Sequence, residues 1–302
     1  MDGSIDTAWF NAFLAGEGLP SSFVEVAERM YTPFARQVIQ WRAAQNAPLV
    51  LGVNGAQGTG KSTLAAWLGQ YLLHEAGLRC AILSIDDLYL TRAQRLALSQ
   101  EVHPLFATRG VPGTHDLLLG MDTLDHLLAG QEVPLPRFNK AVDDRVPLAT
   151  WPRIVSPVDV VIVEGWCVGA QPEADGALER PINALEQGED AHGLWRGYVN
   201  AQLAGPYREL FDRMDHLVML KAPDFDAVHR WRAEQEAKLL QRVRLAGESD
   251  AGVMDAPSLK RFMMHYERLT HWMLEEMPDR ADVCWTLAAD HTISGVSGIA
   301  SY

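Results

Sequence analysis

One octapeptide carries residue types at the spacing that binds polyphosphate. Residues 55–62, Gly-Ala-Gln-Gly-Thr-Gly-Lys-Ser, fit the pattern G-x-x-x-x-G-K-[ST]. In this pattern the backbone N–H groups of a glycine-rich turn and of a helix N-terminus surround the phosphates. Lys61 is expected to reach the β- and γ-phosphates, and the Ser62 hydroxyl to coordinate Mg²⁺. The predicted nucleoside triphosphate site consists of Gly55, Gln57, Gly58, Thr59, Gly60, Lys61, Ser62 and Thr63.

The segments on either side of the octapeptide decide between a phosphate loop and a chance match in a glycine-rich turn. Residues 48–54 form an apolar run that predicts a buried strand, and residues 63–73 place apolar side chains at helical spacing. Strand, glycine-rich turn and helix is the order that a phosphate loop requires. We therefore favour the functional interpretation.

Further apolar runs predict a sheet that holds this loop. Near-continuous apolar strands separated by helical material are typical of a parallel sheet with helices on both faces. This predicts an α/β fold of the P-loop NTPase type, whose ligands bind beyond the carboxyl ends of the strands. The four later strands are expected at residues 80–85, 158–163, 216–221 and 283–287.

Acidic residues end two of these strands. Asp86 and Asp87 follow the second strand and are expected to point to opposite faces, so that one of them faces the nucleotide. That carboxylate could accept the proton of an acceptor hydroxyl, or it could be a helix cap or loop hydrogen-bonder; position alone does not decide. Glu164 ends the third strand, where a carboxylate would hold Mg²⁺. The alternative for Glu164 is a buried acid bonded to backbone amides.

The roughly seventy residues between the second and third strands exceed one crossover helix. We expect this insert, residues 88–157, to contain a helix around Leu117–Leu128 and to build an acceptor site. Arginine forks suit carboxylates and phosphates, although a single basic residue is more often a solvated surface charge. As a group, the basic residues here indicate an anionic acceptor: Arg109, Arg137, Lys140, Arg145 and Arg153, with His103 and His115 nearby.

The rest of the chain gives the domain organisation. Residues 1–46 are predicted to form an N-terminal helical extension, with a core helix from Ser22 to Ala44 that starts in a Ser22–Glu25 capping box, and residues 47–302 the phosphate-loop domain. The acidic residues 171–193 suggest an exposed loop or mobile cover. Two helices with apolar stripes are expected after Asp224 and Asp255.

Composition limits the partners. The chain has 302 residues and a net charge of 26 − 39 = −13, which argues against nucleic acid as a main partner. Three distant cysteines match no metal spacing and suggest a reducing compartment. The acidic N-terminus lacks the features of a signal peptide, and no apolar window is long enough to span a membrane. We therefore expect a cytoplasmic protein, with no prediction of oligomeric state.

Several segments together carry a resemblance to a known family. The phosphate loop, Ser84–Leu90 and Glu164-Gly165 resemble the superfamily of phosphoribulokinase, uridine kinase and bacterial pantothenate kinase. More narrowly, the chain resembles the D-glycerate 3-kinases of plants and fungi from about Leu49 to Ile293. The segments that carry this likeness are Arg109-Gly110, Gly113–Leu117, Pro136–Lys140, Asp144-Arg145, Thr150–Pro152, Val163–Trp166 and Arg230–Arg232.

The resemblance implies ATP and Mg²⁺ as cofactors and assigns roles to single residues. Asp86 matches the presumed catalytic base, Asp87 an accessory or structural acid, and Glu164 the Mg²⁺-associated glutamate. Asp116 matches an acceptor-binding position. Arg109, Arg137 and Lys140 would meet the acceptor carboxylate or the transferred phosphate, and His115 joins them in the predicted acceptor site. Arg232 is expected to close over the phosphates.

These observations predict a kinase that transfers the γ-phosphoryl group of ATP to a small hydroxylated acceptor, with D-glycerate, giving 3-phosphoglycerate, as the first choice. A nucleoside, a pantothenate-like molecule or a sugar stays open, because Phe106, Phe138, Trp151 and Trp166 offer stacking surfaces in or beside the insert. An alternative of another class is a regulatory protein that binds and slowly hydrolyses ATP. Such a protein would need no acceptor pocket.

Overall fold

A six-stranded sheet forms the centre of the part of the chain that the structure, a computed structural model, describes: residues 7–155, 157–246 and 253–299. The sheet strands are β1 (Leu49–Gly55), β2 (Cys80–Ser84), β3 (Val160–Gly165), β4 (His216–Lys221), β5 (Val283–Leu287) and β6 (Ile293–Ser297). Their spatial order is β6-β5-β4-β1-β3-β2. Strands β1 to β5 are mutually parallel, which confirms the five predicted strands and the fold class.

The sixth strand was not predicted. Strand β6 pairs with β5 in antiparallel orientation, and the register shifts between Ile293 and Gly295. The strand is short and half-exposed. Its sequence, Ile-Ser-Gly-Val-Ser, is not the continuous apolar run that marks the buried strands. The sheet is therefore parallel except at this edge.

Helices cover both faces of the sheet. In chain order the described helices are α1 (Thr7–Glu17), α2 (Phe23–Val26), α3 (Thr32–Ala43), α4 (Lys61–Ala76), α5 (Arg92–Glu101), α6 (Leu117–Leu128), α7 (Ala184–Glu189), α8 (Leu194–Ala204), α9 (Pro206–Phe211), α10 (Phe225–Ala246) and α11 (Ala256–Glu276). Among the described helices, none is long and apolar enough to cross a lipid bilayer.

Two hydrophobic cores result from the alternation of side chains along each strand. Val161 and Val163 of β3 belong to the core beneath α6, α8 and α9. Val160 and Ile162 of the same strand belong to the core beneath α1, α3 and α4. Because both faces of β3 are buried, its sequence is an unbroken apolar run, and this pattern is what made the strand predictable.

The N-terminal helix differs from its prediction. A π-helical turn, Ala27–Tyr31, joins α2 to α3, and Ser22 forms no capping bond through its side chain. The first amides of α2 are already taken, because the carbonyls of Pro20 and Ser21 accept from Phe23 and Val24 at 2.9 and 3.1 Å. The predicted capping box is therefore wrong. The preceding helix α1 was not predicted as a separate element.

Residues 171–193 are not a mobile cover. They contain a 3-10 turn, Asp175–Leu178, and helix α7. Glu186 and Asp190 are buried and form ion pairs with Arg268 and Arg196, at 2.7 and 2.9 Å. Because these acids bind arginines on α11 and α8, the segment is fixed to the domain. Most of the segment is exposed, as its acidic composition suggested, while its two buried acids supply internal ion pairs.

Candidate active site

The parallel sheet brings the predicted acids and the phosphate loop to one edge. Strand β3 lies between β1 and β2, and Glu164 is in register with Val53 on one side and Ser84 on the other. The phosphate loop leaves β1 directly after Gly55, and Asp86 follows β2 by two residues. The carboxyl ends of these three strands therefore form the floor of one site, as the sequence predicted.

The phosphate loop has backbone geometry that needs glycine. Gly58 and Gly60 both have φ of +85°, and Gly60 precedes α4, which begins at Lys61. A Cβ at Gly58 would lie 2.5 Å from the Cβ of Trp231 on α10, and one at Gly55 would contact the Thr59 hydroxyl. The loop is thus a tight turn packed against α10, with an open helix N-terminus in front of it.

A cavity of about 610 Å³ opens beside this loop. One side is formed by Gly58–Gly60 and Thr63, and another by the N-terminal segment from Ser22 to Tyr31. The remaining walls are Trp285, Leu287 and residues 290–293 around the β5–β6 turn. Sequence reasoning assigned the N-terminal helix to the core alone, because periodicity cannot show that such a helix also reaches the phosphate loop.

Asp86 and Asp87 do not continue β2. They lie in a 3-10 turn, Ile85–Leu88, so the expected alternation to opposite faces is wrong. Both carboxylates contact the insert: Asp86 receives a hydrogen bond from Lys140 Nζ at 2.6 Å, and Asp87 receives one from the Phe138 backbone N–H at 3.0 Å. Arg137 Nη1 also lies 3.2 Å from Asp87 Oδ2. The turn therefore presents both acids to the same side.

The environments of the two acids shift their pKa values in opposite directions. Burial alone would raise the pKa of Asp86, but the ammonium groups of Lys140 and Lys61, with hydrogen bonds from Lys140 and Tyr89, hold it below its usual range. Burial raises the pKa of Asp87, and its bonds to Phe138 and Arg137 only partly oppose this. The charges of two lysines thus favour the ionised form of Asp86.

Glu164 has the character of a cation ligand. It is 5% exposed, and its Oε2 is buried with no hydrogen-bond partner among the described residues. The alternative that backbone amides satisfy this oxygen is therefore not seen. A buried, unpaired carboxylate oxygen is costly unless it binds a cation or a proton. Ser62, at the start of α4, is exposed, so both predicted metal ligands remain free to bind.

The predicted acceptor residues gather around the same acids. Arg109 forms an ion pair with Asp143, and its carbonyl accepts a hydrogen bond from the Tyr266 hydroxyl at 3.2 Å. Asp116 caps α6 by accepting from the Leu119 N–H at 3.1 Å, and its other oxygen binds Arg145 at 3.0 Å. Each basic side chain thus already has an acidic partner of this chain.

Three predicted basic residues lie elsewhere or bind other partners. Arg153 forms an exposed ion pair with Glu132, away from the acids, and His103 lies 4.0 Å from Asp190. Arg232 forms an ion pair with Glu236, four residues later on the same helix. To reach a phosphate, Arg232 would have to leave this partner.

Sequence reasoning missed residues that organise the site. Asp143 has a φ of +55° and binds two arginines, Arg109 and the fully buried Arg95, the latter at 2.6 Å. Tyr89 donates to Asp86 at 2.9 Å and stacks on His115 at 4.6 Å between ring centroids. The pair Asp143-Asp144 is typical of a turn, and this was the signal that could have drawn attention to Asp143. Nothing in the sequence distinguishes Arg95 on α5 from a surface residue.

Comparisons with known proteins identify kinases among the relatives of this chain. None of the protein-family models compared with the chain matches it. The chain is 32% identical over 253 residues to a chloroplastic D-glycerate 3-kinase of Arabidopsis thaliana, covering 80% of this chain and 52% of the relative. It thus spans about half the length of that protein. An uncharacterised kinase of Schizosaccharomyces pombe is 34% identical over 232 residues, covering 74% of this chain and 79% of the relative.

A solved structure shows the same fold. The D-glycerate 3-kinase of Cryptococcus neoformans superposes with a TM-score of 0.75 at 26% identity, covering 90% of this chain and 98% of that one. The chain therefore belongs to the family of P-loop kinases that includes the D-glycerate 3-kinases, phosphotransferases with an alcohol group as acceptor.

Proposed function

We propose that this protein transfers the γ-phosphoryl group of ATP to a hydroxyl of D-glycerate, giving 3-phosphoglycerate in a Mg²⁺-dependent reaction. The observation that carries the proposal is the position of Asp86, which Lys140 of the insert contacts at 2.6 Å and whose pKa the charge of Lys61 in the phosphate loop also lowers. A carboxylate at this point lies between the predicted phosphates and the residues expected to bind an acceptor. The names of two relatives support glycerate as that acceptor.

The phosphate loop and the neighbouring cavity account for nucleotide binding. Backbone amides of Gly58–Thr63 and the Lys61 ammonium would hold the phosphates. The cavity beside Thr63 would take the base and ribose, with Trp285 and the N-terminal segment as its apolar walls. Typical small-molecule cavities are about 300–1,000 Å³, so 610 Å³ is sufficient for a nucleoside.

Ser62 and Glu164 would hold the metal ion. The orphaned buried oxygen of Glu164 and the exposed Ser62 hydroxyl form an oxygen-only ligand set, which suits Mg²⁺ with phosphates and water completing its shell. When bound, the ion supplies charge neutralisation on the phosphate oxygens. Among the described residues, no group of three or more metal-ligating acids, histidines or cysteines was found, in keeping with a site that depends on the nucleotide.

Asp86 would act on the acceptor hydroxyl. Because nearby lysines keep the pKa of Asp86 low, the carboxylate is ionised at neutral pH and can accept the proton of the attacking hydroxyl. Arg137, Lys140 and Arg109 would bind the acceptor's carboxylate, in place of the acids they bind in this structure. These basic residues would bind an anionic acceptor locally, although the whole chain has a net charge of −13.

We expect the protein to act in the cytoplasm, which is a reducing compartment. Cys80, Cys167 and Cys284 are free thiols in the structure. Free, buried thiols without disulfide partners are typical of proteins kept in reducing compartments. Fractionation of cells that express the protein at its natural level would test this location.

ATP consumption with Mg²⁺ tests the function. The purified protein is assayed with D-glycerate, L-glycerate, uridine, pantothenate and ribulose 5-phosphate, alongside Asp86→Asn. We expect turnover that depends on D-glycerate and falls at least about 10²-fold in the variant, the usual contribution of a general base. Turnover with a different acceptor would overturn the choice of glycerate alone. Hydrolysis that ignores every acceptor and survives Asp86→Asn would instead indicate a regulatory ATPase.

A further inference from the structure

A buried pair, His115 and Tyr207, lies beside the proposed base. Tyr207 on α9 is fully buried, and its hydroxyl is in hydrogen-bond contact with Nδ1 of His115. The Gly113 backbone N–H donates to the Tyr207 oxygen at 2.9 Å. Among the described residues, Nδ1 of His115 is the one hydrogen-bond acceptor in contact with the Tyr207 hydroxyl. Tyr207 was not singled out by its sequence, since it is 92 residues from His115.

These contacts fix the tautomer of the His115 ring. A phenol oxygen has two lone pairs and one proton. The Gly113 N–H occupies one lone pair. If an Nδ1–H group donated to the other, the buried hydroxyl proton of Tyr207 would be left without an acceptor, which is costly. The hydroxyl must therefore donate to Nδ1, which in a neutral imidazole leaves the ring proton on Nε2.

The ring is neutral as well as fixed. His115 is 5% exposed, and burial lowers its pKa to about 3, although the nearby Asp86 carboxylate acts in the opposite direction. Its Nε2 is buried and has no hydrogen-bond partner among the described residues. The ring stacks on Tyr89, whose hydroxyl donates to Asp86. An unpaired N–H donor thus lies one ring away from the proposed base.

We propose that Tyr207 is a positioning residue that holds His115 as the Nε2–H tautomer, and that this N–H donates to an oxygen of the acceptor. The donation to the acceptor, unlike the tautomer, rests on the proposed function. A neutral donor has a specific advantage here, because the positive charge of an imidazolium would stabilise the nearby Asp86 carboxylate and make it a weaker base. With a neutral ring, the acceptor oxygen is bound and Asp86 stays available to the hydroxyl proton.

Nitrogen NMR of the histidine side chains tests the tautomer without any substrate. The chain has ten histidines, and the His115 signals are identified by their loss in His115→Gln. We expect the Nε2–H pattern for His115 from about pH 5 to pH 8, where an ordinary histidine titrates near 6.5. In Tyr207→Phe, which lacks the hydroxyl, we expect Nδ1–H to become populated. An Nδ1–H ring or an imidazolium in the unmodified protein would overturn the proposal.

A double-mutant cycle tests the role of the pair in acceptor binding. Tyr207→Phe should raise the KM for the acceptor about fivefold, the worth of one neutral hydrogen bond, and leave the KM for ATP unchanged. In a His115→Ala background the same substitution should have no further effect on that KM. An equal effect in both backgrounds would show that Tyr207 acts only through general packing and would overturn the positioning role.

The two measurements separate the possible failures. If no acceptor is turned over, the proposed function fails, while the NMR pattern still decides the tautomer. If Tyr207→Phe does not fold, the tautomer of the unmodified protein and the KM of His115→Gln remain decisive. Glutamine keeps an N–H donor near the Nε2 position, so its KM should lie closer to that of the unmodified protein than the KM of His115→Ala. An equal KM for the two variants would overturn the donor role.

Discussion

The phosphate loop offers a matched pair of substitutions that separates backbone strain from steric contact. Gly58 and Gly60 share a φ of +85°, yet a Cβ at Gly58 would lie 2.5 Å from the Cβ of Trp231, while a Cβ at Gly60 would meet no atom within 4 Å. Both alanine substitutions therefore cost the left-handed backbone conformation. Only Gly58→Ala also forces the loop away from α10.

The expected magnitudes follow from these two terms. A left-handed alanine costs roughly 1–2 kcal/mol, of which a reduced entropy of the unfolded chain returns about 0.4–1 kcal/mol in both variants. Overpacking adds about 1–3 kcal/mol at Gly58 alone. The Trp231 contact involves the Cβ and cannot be relieved by a side-chain rotation, so the upper part of that range applies. Gly58→Ala should lose about 2–3 kcal/mol more of unfolding free energy than Gly60→Ala.

Urea denaturation without nucleotide measures this difference directly, since the slope of the transition should be the same in both variants. Nucleotide affinity gives a second comparison: the displaced loop of Gly58→Ala should bind ATP more weakly than the strained but undisplaced loop of Gly60→Ala. If the two variants unfold at the same urea concentration, the loop does not pack on Trp231 as the structure shows. The reasoning from the contact would then be refuted.

Three further predictions concern the charged groups of the site. Glu164→Gln removes an unpaired buried carboxylate, so the unfolding midpoint of the metal-free protein should stay the same or rise. The Mg²⁺ concentration for half-maximal activity should rise at least about tenfold, because a metal ligand is lost. Lys140→Gln should raise the pKa of Asp86, because it removes the cation that most strongly lowers that pKa. The acidic limb of kcat/KM should therefore move to higher pH, and an unmoved limb would contradict the pairing. Asp143→Asn should lower the acceptor KM and change the ATP KM less, since it removes the carboxylate that the acceptor must displace from Arg109; equal changes measured in one assay would argue against a role at the acceptor.

Local patterns explain how much of this fold was predictable. The five parallel strands are buried on both faces, so each is an apolar run that needs no knowledge of its neighbours. The rule that parallel strands share one carboxyl edge then brought Glu164 and Asp86 together with the phosphate loop. The helix Leu117–Leu128 was predicted with its observed bounds, because its apolar spacing and its capping Asp116 are both local signals.

Contacts between distant residues were not predictable from such patterns. The fully buried Arg95 lies on a helix whose other side chains are mostly exposed. Its charge is balanced by Asp143, 48 residues later, and its guanidinium also donates to the Leu90 carbonyl. Residues 171–193 show the converse error. Their acids bind Arg196 and Arg268, so a composition typical of an exposed loop accompanies a fixed segment.

The ion pairs between the insert and the strand-end turn bear on acceptor choice. Lys140 and Arg137 bind Asp86 and Asp87, and both acids lie on a turn whose backbone is fixed by the sheet. If an uncharged acceptor separated these pairs, it would leave basic and acidic groups without partners in a partly buried site, which is costly. An acceptor with its own carboxylate replaces the lost partner of the basic residues and leaves Asp86 free for the hydroxyl. The same side chains that close the site in this structure therefore favour an anionic acceptor over a nucleoside or a neutral sugar.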